Sequence, residues 1–307
     1  MDWLLLIEQT FNGLQLGVML FLLAAGLTLV FGIMDLVNLA HGSLFMIGAY
    51  IAVTFIGWTD SFWLGVLLAI PATALVGMAV EVVVLRTLYA RDHLDQVLAT
   101  FGLILFFNEF VSLVWGRAPI FAGLPDALKG QVEILPGAPY PTYRLLIIVV
   151  GLAVAALIYL IVAKTRLGMQ IRAGASNREM VGALGVDIKR LFTLVFGLGA
   201  AFAGLAGMMT GPITNVQPGM GEPVLINAFV VIIIGGIGSI RGALIASALV
   251  GMVDTMGRAF LPAILRAVVD PATADGVGPA LASMAIYILM AAVLFFRPQG
   301  LFPARTG

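Results

Sequence analysis

An imidazole is the one side chain whose ordinary proton affinity lies near neutrality. His41 stands inside an apolar stretch, six residues after Asp35, three after Asn38 and two before Ser43. An ionisable group in such surroundings suits a proton relay or a polar path through a membrane. The alternative is a packing residue at a helix start. Asp35 and Asn38 are suited to cap a helix beginning near Leu39. Glu81 lies close to Arg86 at the inner end of its apolar run, where pairing or reach to the interface accounts for it. Asn108 and Glu109 sit near the outer end of theirs, and Asn227 and Asp254 lie deeper, with no partner legible in the sequence.

A second group of residues is polar and basic. Between Lys164 and Arg190 the chain reads KTRLGMQIRAGASNREMVGALGVDIKR. Ser176-Asn177-Arg178-Glu179 has the S-x-x-E form of a capping box, in which the Ser oxygen accepts the third amide and the Glu reaches back. Leu184-Gly185 supplies a stop, because glycine enters the left-handed conformation cheaply, and Asp187 is placed to cap the next helix. A short bounded helix therefore separates two apolar runs. In a chain with no energy-converting domain, such a helix is suited to receive force from a partner.

Chemistry of other kinds is excluded. No G-x-x-x-x-G-K-[ST] phosphate loop occurs, nor H-E-x-x-H or G-x-S-x-G. Two histidines, His41 and His93, and no cysteine leave little for a metal site and nothing for a disulfide. His93 falls in Arg91-Asp92-His93-Leu94-Asp95, which reads as a solvated turn. An enzyme is not expected. A formal net charge of zero argues against a nucleic-acid partner.

The elements that must hold these residues are set by composition. The chain is 61% hydrophobic and 10% charged, with mean hydropathy +1.10, whereas soluble chains carry about 25% charged residues. Nine apolar runs occur near 12–33, 39–57, 62–85, 94–116, 143–163, 191–211, 224–240, 242–257 and 279–296, two of them short. Crossing a bilayer takes about 20 apolar residues. The runs are continuous rather than alternating, which excludes a membrane β-barrel. The expected fold is all-α, a polytopic membrane protein of about 8–10 spanning or re-entrant helices forming one domain over 1–307. The first residues lack the basic region of a cleaved signal and are expected to be retained.

Placing 164–190 in the cytoplasm and alternating sides leaves five of the 16 Lys and Arg outside: Arg117, Lys129, Arg144, Arg258 and Arg266. That asymmetry follows the positive-inside rule and puts Arg305 and the C-terminus in the cytoplasm; Asp2 and Glu8 suit an external N-terminus. A re-entrant pair within 12–57 or 224–257 would reverse the N-terminus. Glycine and polar residues interrupt apolar runs at 32–43 and 235–242. Each is either a broken helix at membrane depth, as transporters place in two halves, or a tight turn. The small residues Gly197 to Gly207 form a close-packing face, used internally or between subunits. The proline-rich segment 117–142 reads as an ordered external connector or docking surface.

Three stretches carry a family resemblance: GLTLVFGIMDLVNLAHGSLFMIGAYIA (26–52), RAGASNREMVGALGVDIKRLFTLVFGLGAAFAGLAG (172–207) and NAFVVIIIGGIGSIRGALIASALVGMVDT (227–255). In them the whole chain resembles the LivH-type permeases of branched-chain amino acid ABC importers of the bacterial inner membrane. The resemblance implies a permease without its own ATPase site, acting by alternating access. Its partners would be a second, homologous permease subunit, two cytoplasmic ATP-binding subunits and a periplasmic substrate-binding protein. No cofactor is expected on this chain, ATP and Mg belonging to the ATPase partners. Segment 175–185 corresponds to the coupling helix, with Ser176, Asn177, Arg178, Glu179, Met180, Leu184 and Gly185 as coupling residues. Asn38, His41, Ser43, Asn227 and Ser239 are the expected polar lining of the path. Relatives import other amino acids, short amides or urea, and a self-contained secondary transporter is the competing class.

Overall fold

The computed structural model describes residues 3–303, so Asp2 and Arg305, whose charges bear on orientation, lie outside the described residues. The described residues form ten α-helices: α1 (Trp3–Met34), α2 (His41–Thr59), α3 (Phe62–Val83), α4 (His93–Trp115), α5 (Thr142–Lys164), α6 (Arg166–Ala183), α7 (Ile188–Thr214), α8 (Gly221–Gly235), α9 (Ile240–Leu265) and α10 (Pro271–Phe296). Eight are long and apolar enough to cross a membrane. Helix α8, with 15 residues, is about 22 Å long and falls short of a full span. The nine apolar runs of the sequence each form a helix, and α6 is the polar segment between the fifth and sixth of them.

Helices α1 and α7 form the centre, with 83% and 78% of their most apolar windows buried, against 22% for α4 and 11% for α10. The outer helices keep apolar faces for lipid or for partner spans. Small residues set the spacing at the centre, as expected where helices must approach without a hydrophobic drive. A Cβ on Gly17 would stand 2.8 Å from the Ser247 carbonyl oxygen of α9, and one on Gly26 would stand 2.6 Å from that of Gly199 on α7. On α7, Gly204 packs against Thr73 of α3 and Gly207 against the Phe45 backbone of α2. The small-residue face is thus filled from within the chain. Gly26→Ala is expected to push α1 from α7 and cost about 1–3 kcal/mol, read as a fall in thermal stability in detergent; an unchanged melting temperature would contradict this packing.

The connector after α4 departs from all-α expectation. Its prolines lie in and beside a hairpin of β1 (Gln131–Leu135) and β2 (Ala138–Pro141), turned at Gly137 with φ +83°. Ile120 pairs with Val216 beyond α7, fastening the connector to the bundle. The segment is ordered, and strand pairing orders it.

The two interruptions differ from each other. At 235–242 the chain makes a tight turn: Gly236 and Gly238 have φ of +101° and +79°, and the Ser239 amide donates to the Gly236 carbonyl at 3.1 Å. The tail closes over it, Leu301 and Phe302 donating to the carbonyls of Ile234 and Gly235. At 35–40 the chain is non-helical and alternates between buried and partly exposed residues, with Leu36 and Asn38 fully inaccessible. The Val37 amide donates to Gln96 Oε1 of α4 at 3.3 Å. This link carries the chain back into the bundle before α2 begins. Buried non-helical backbone of this kind survives only where protein or water satisfies it.

Candidate functional site

The link from α1 to α2 positions Asp35, Asn38 and His41. Asp35 does not cap α2; with φ +52° it closes α1, its amide donating to the Phe31 carbonyl at 3.0 Å. Its short polar side chain tolerates that left-handed conformation. Asn38 does not cap a helix at Leu39 either. Its Oδ1 accepts from the Ala40 amide at 3.0 Å, a local turn that delays α2 to His41. His41 then packs beside Gly26 of α1 and Gly199 of α7; a Cβ on Gly26 would meet its Nε2 at 2.8 Å. Gly26 lies eight residues from the end of α1 and Gly199 eleven residues into α7, about 12 and 16 Å along those helices. His41 therefore sits about two to three helical turns inside the bundle from those helix ends.

The chemistry here is unpartnered polarity. Asn38 and His41 are fully inaccessible and Ser43 nearly so. Asn38 Nδ2, both His41 nitrogens and Ser43 Oγ have no hydrogen-bond partner among the described residues, nor do Thr28 Oγ1 and Tyr50 OH. A buried polar group left unpaired costs about 1–3 kcal/mol, and native proteins keep few of them. Three of the five expected path residues thus come together in one short stretch. The other two do not join them. Asn227 is half-buried on α8, and Ser239 is the N-cap of α9, its Oγ accepting from the Gly242 amide at 3.1 Å. Thr28 and Tyr50 escape a sequence reading because Thr and Tyr are ordinary in apolar helices.

The basic segment is a kinked helix. Thr165 caps α6 by accepting from the Gly168 amide at 3.1 Å, and helical backbone runs through Ser176. Asn177 then adopts φ −156° and ψ 94°, and its Oδ1 accepts from the Met180 amide at 2.9 Å. The cap is Asn177, one residue beyond the expected Ser176, because Ser176 already belongs to the preceding helix. That places Glu179 one position short of a reciprocal box. The stop is as expected: Gly185 has φ +90°, its amide donates to Gly182 and the Val186 amide to Val181, the paired bonds of a glycine-terminated helix. Asp187 caps α7 at Arg190 N, 3.1 Å. On this polar segment Met180 and Leu184 are 58% and 77% exposed.

A buried carboxylate ties α3 to the start of α7, the helix that follows that segment. Glu81, 0% exposed, pairs with Arg86 at 3.0 Å as the sequence suggested. It also accepts from Tyr89 OH at 2.7 Å and from Thr193 Oγ1 of α7 at 2.7 Å. Burial first, and the Glu81 carboxylate second, raise the Tyr89 phenol above its usual range and keep it a donor. Tyr89 and Thr193 carry no sequence signal, since 112 residues separate Thr193 from Glu81. Elsewhere Asn108 donates to Glu222 at 2.6 Å, Glu109 pairs with Arg117, and Asp254 pairs with Arg258 at 2.9 Å. No group of three metal-binding side chains occurs among the described residues.

Fold and site together define a polytopic helical membrane protein with a polar junction at its centre and a bounded polar helix at one end. A family model described as "Branched-chain amino acid transport system / permease component" matches residues 9–294. The chain is 30% identical over 283 residues to the high-affinity branched-chain amino acid transport system permease protein LivH of Escherichia coli K12, covering 88% of this chain and 91% of that one. It is 31% identical over 311 residues to BraD of Pseudomonas aeruginosa, described in the same words, covering 96% and 95%. The ribose import permease protein RbsC of E. coli K12 is 25% identical over 259 residues, covering 81% and 77%. No solved structure matches. The chain belongs to the branched-chain amino acid permease family, and its eight candidate spans make it a multi-pass inner-membrane protein.

Proposed function

We propose that this chain is one permease subunit of an ATP-driven importer that moves branched-chain amino acids by alternating access. ATP is hydrolysed on separate cytoplasmic subunits, with ATP and Mg bound there; a periplasmic protein delivers the substrate, and a second permease completes the path. The C-terminus lies in the cytoplasm, on the side of α6. The observation that carries the coupling role is the exposure of Met180 and Leu184 at the end of a capped helix. Two exposed apolar side chains four residues apart, with Met169 exposed earlier on the same segment, favour a protein partner over solvent. Family membership supports the substrate class. A secondary transporter is disfavoured, because Asp254 is paired with Arg258 and no carboxylate is hydrogen-bonded to His41.

The test is leucine uptake into proteoliposomes holding this chain, its ATP-binding subunits, its companion permease and the binding protein. Uptake is expected only with ATP and binding protein together; ATP-independent uptake driven by an ion gradient would contradict the reading. At the junction, His41→Leu removes an unpaired buried group. It is expected to leave thermal stability unchanged or higher while reducing uptake at least several-fold. Unchanged uptake would make His41 a packing residue.

A further inference from the structure

We propose that an α-amino acid is held where the starts of α2 and α8 meet, its ammonium on Glu222 and its carboxylate on Ser43. This rests on the amino-acid permease reading and assigns the two charged groups of the substrate to named residues.

The starts of the two helices touch. A Cβ on Gly42, the second residue of α2, would stand 2.7 Å from the carbonyl oxygen of Gly221, the first residue of α8. Ser43 and Glu222 are the residues that follow, and both are turned to α4. Glu222 accepts from Asn108 Nδ2 at 2.6 Å, and Asn108 Oδ1 accepts from the Gly219 amide at 3.2 Å. Ser43 lies seven residues before Tyr50 on one face of α2. The Tyr50 ring packs on Trp115 of α4, with 5.1 Å between centroids, and Asn108 lies seven residues before Trp115. Helices α2 and α4 run the same way, joined at one end by the Val37–Gln96 bond and at the other by Trp115 Nε1 donating to Thr54. Ser43 therefore stands level with Asn108, about 10 Å inside the end of α4.

Two unmet needs converge there. Glu222 is half-buried and pairs with no cation among the described residues. The dipole of α8 eases a carboxylate in its first turn, but an acid this far inside an apolar bundle calls for a counter-charge, and the amide of Asn108 is neutral. Ser43 is the independent observation. It is 3% exposed, and its Oγ has no partner. Ser112, Ser247 and Ser283 donate to carbonyls of their own helices, the usual resting place of a helical hydroxyl. Ser43 does not. As the third residue of α2 its side chain leans towards the helix start, where the Gly42 amide has no intrahelical acceptor and an anion is favoured.

A carboxylate without a counter-charge needs a cation, and a free buried hydroxyl at a helix start needs an acceptor. An α-amino acid carries both on one carbon. Its ammonium meets Glu222 and the second lone pair of Asn108 Oδ1; its carboxylate meets Ser43 Oγ and the Gly42 amide. Leu225, buried against Gly42, offers apolar wall to an aliphatic side chain.

The assembled permeases and ATP-binding subunits, without the binding protein, are melted in detergent with and without millimolar L-leucine. Leucine is expected to raise the melting temperature. Isocaproate, which keeps the side chain and the carboxylate but lacks the ammonium, is expected to leave it unchanged. Glu222→Gln keeps an acceptor for Asn108, so the complex is expected to assemble and melt as the wild type does without ligand. Its leucine shift is lost, and leucine uptake with the binding protein falls at least several-fold; Ser43→Ala shrinks the shift. No leucine shift in the wild type, an equal shift with isocaproate, or a shift surviving in Glu222→Gln would each overturn the site. So would a loss of uptake in Glu222→Gln that tracks a fall in stability, because Glu222 is then a structural latch on Asn108. Wild-type uptake separates the two ideas. Leucine uptake without the shift removes the site at Glu222 and leaves the permease reading standing, whereas no leucine uptake removes that reading and this site with it.

Discussion

Glu81→Ala is expected to destabilise the protein by about 1–3 kcal/mol, as much as a methyl group added at the Gly26 contact. The carboxylate is inaccessible, and it gathers the Arg86 guanidinium, the Tyr89 hydroxyl and the Thr193 hydroxyl. Removing it takes the acceptor from the buried Tyr89 hydroxyl, while the Arg86 guanidinium, 32% exposed, turns to water and Thr193 keeps the Lys189 carbonyl. A buried pair is weak evidence for net stability, but breaking one by deleting a single partner is costly. Glu81→Gln keeps the shape and about half the acceptors, so a smaller loss is expected. Thr193 stands six residues after Asp187, at the base of α7 and next to the exposed segment. The alanine variant should therefore also weaken transmission of force from α6 into α3. Thermal unfolding in detergent and leucine uptake check the two effects; wild-type values of both would contradict the account of this network.

Gly185→Val, combined with Glu179→Ala, is the second. Gly185 has φ +90°, a region that a β-branched residue enters only with strain of about 1–3 kcal/mol. The turn it ends is six residues long after the Asn177 kink, too short to hold itself against that strain, since isolated helices under about 12 residues are marginal in water. The Val186 and Gly185 amides lose their carbonyls, and Met180 and Leu184 lose their fixed positions. No membrane span is touched, so insertion and thermal stability of the bundle should be retained. Association with the ATP-binding subunits should fall by about tenfold or more, each 1.4 kcal/mol being a factor of about ten. Wild-type association and uptake in this double variant would remove the coupling role from the segment.

The helices are legible in the sequence because apolar runs of membrane length have few alternatives. Their ends are less so. The first run starts near residue 12, yet α1 begins at Trp3, since a helix continues past the hydrocarbon wherever the sequence tolerates it. The cap of the exposed helix falls one residue beyond the expected position. S-x-x-E is a strong local signal, but the preceding helix has already claimed Ser176, and Asn177 caps at least as well. Composition makes Asp35 and Asn38 look like caps, whereas Asp35 ends α1 through its own backbone and Asn38 folds against the Ala40 amide instead.

The site is legible only where it is local. Asn38, His41 and Ser43 lie within six residues and stay together; chemistry alone groups Asn227 and Ser239 with them, and the fold separates them. What the small residues of α7 touch, and what Glu81 gathers beyond Arg86, depend on contacts across more than a hundred residues. No pattern along the chain encodes those.

Native mass spectrometry of the assembly purified from its own membrane in mild detergent tests the central claim most directly. One copy of this chain with a second permease and two ATP-binding subunits is the expected composition. Recovery of this chain alone, under conditions that preserve other membrane complexes and with leucine uptake intact, would contradict it and make the protein a self-contained carrier.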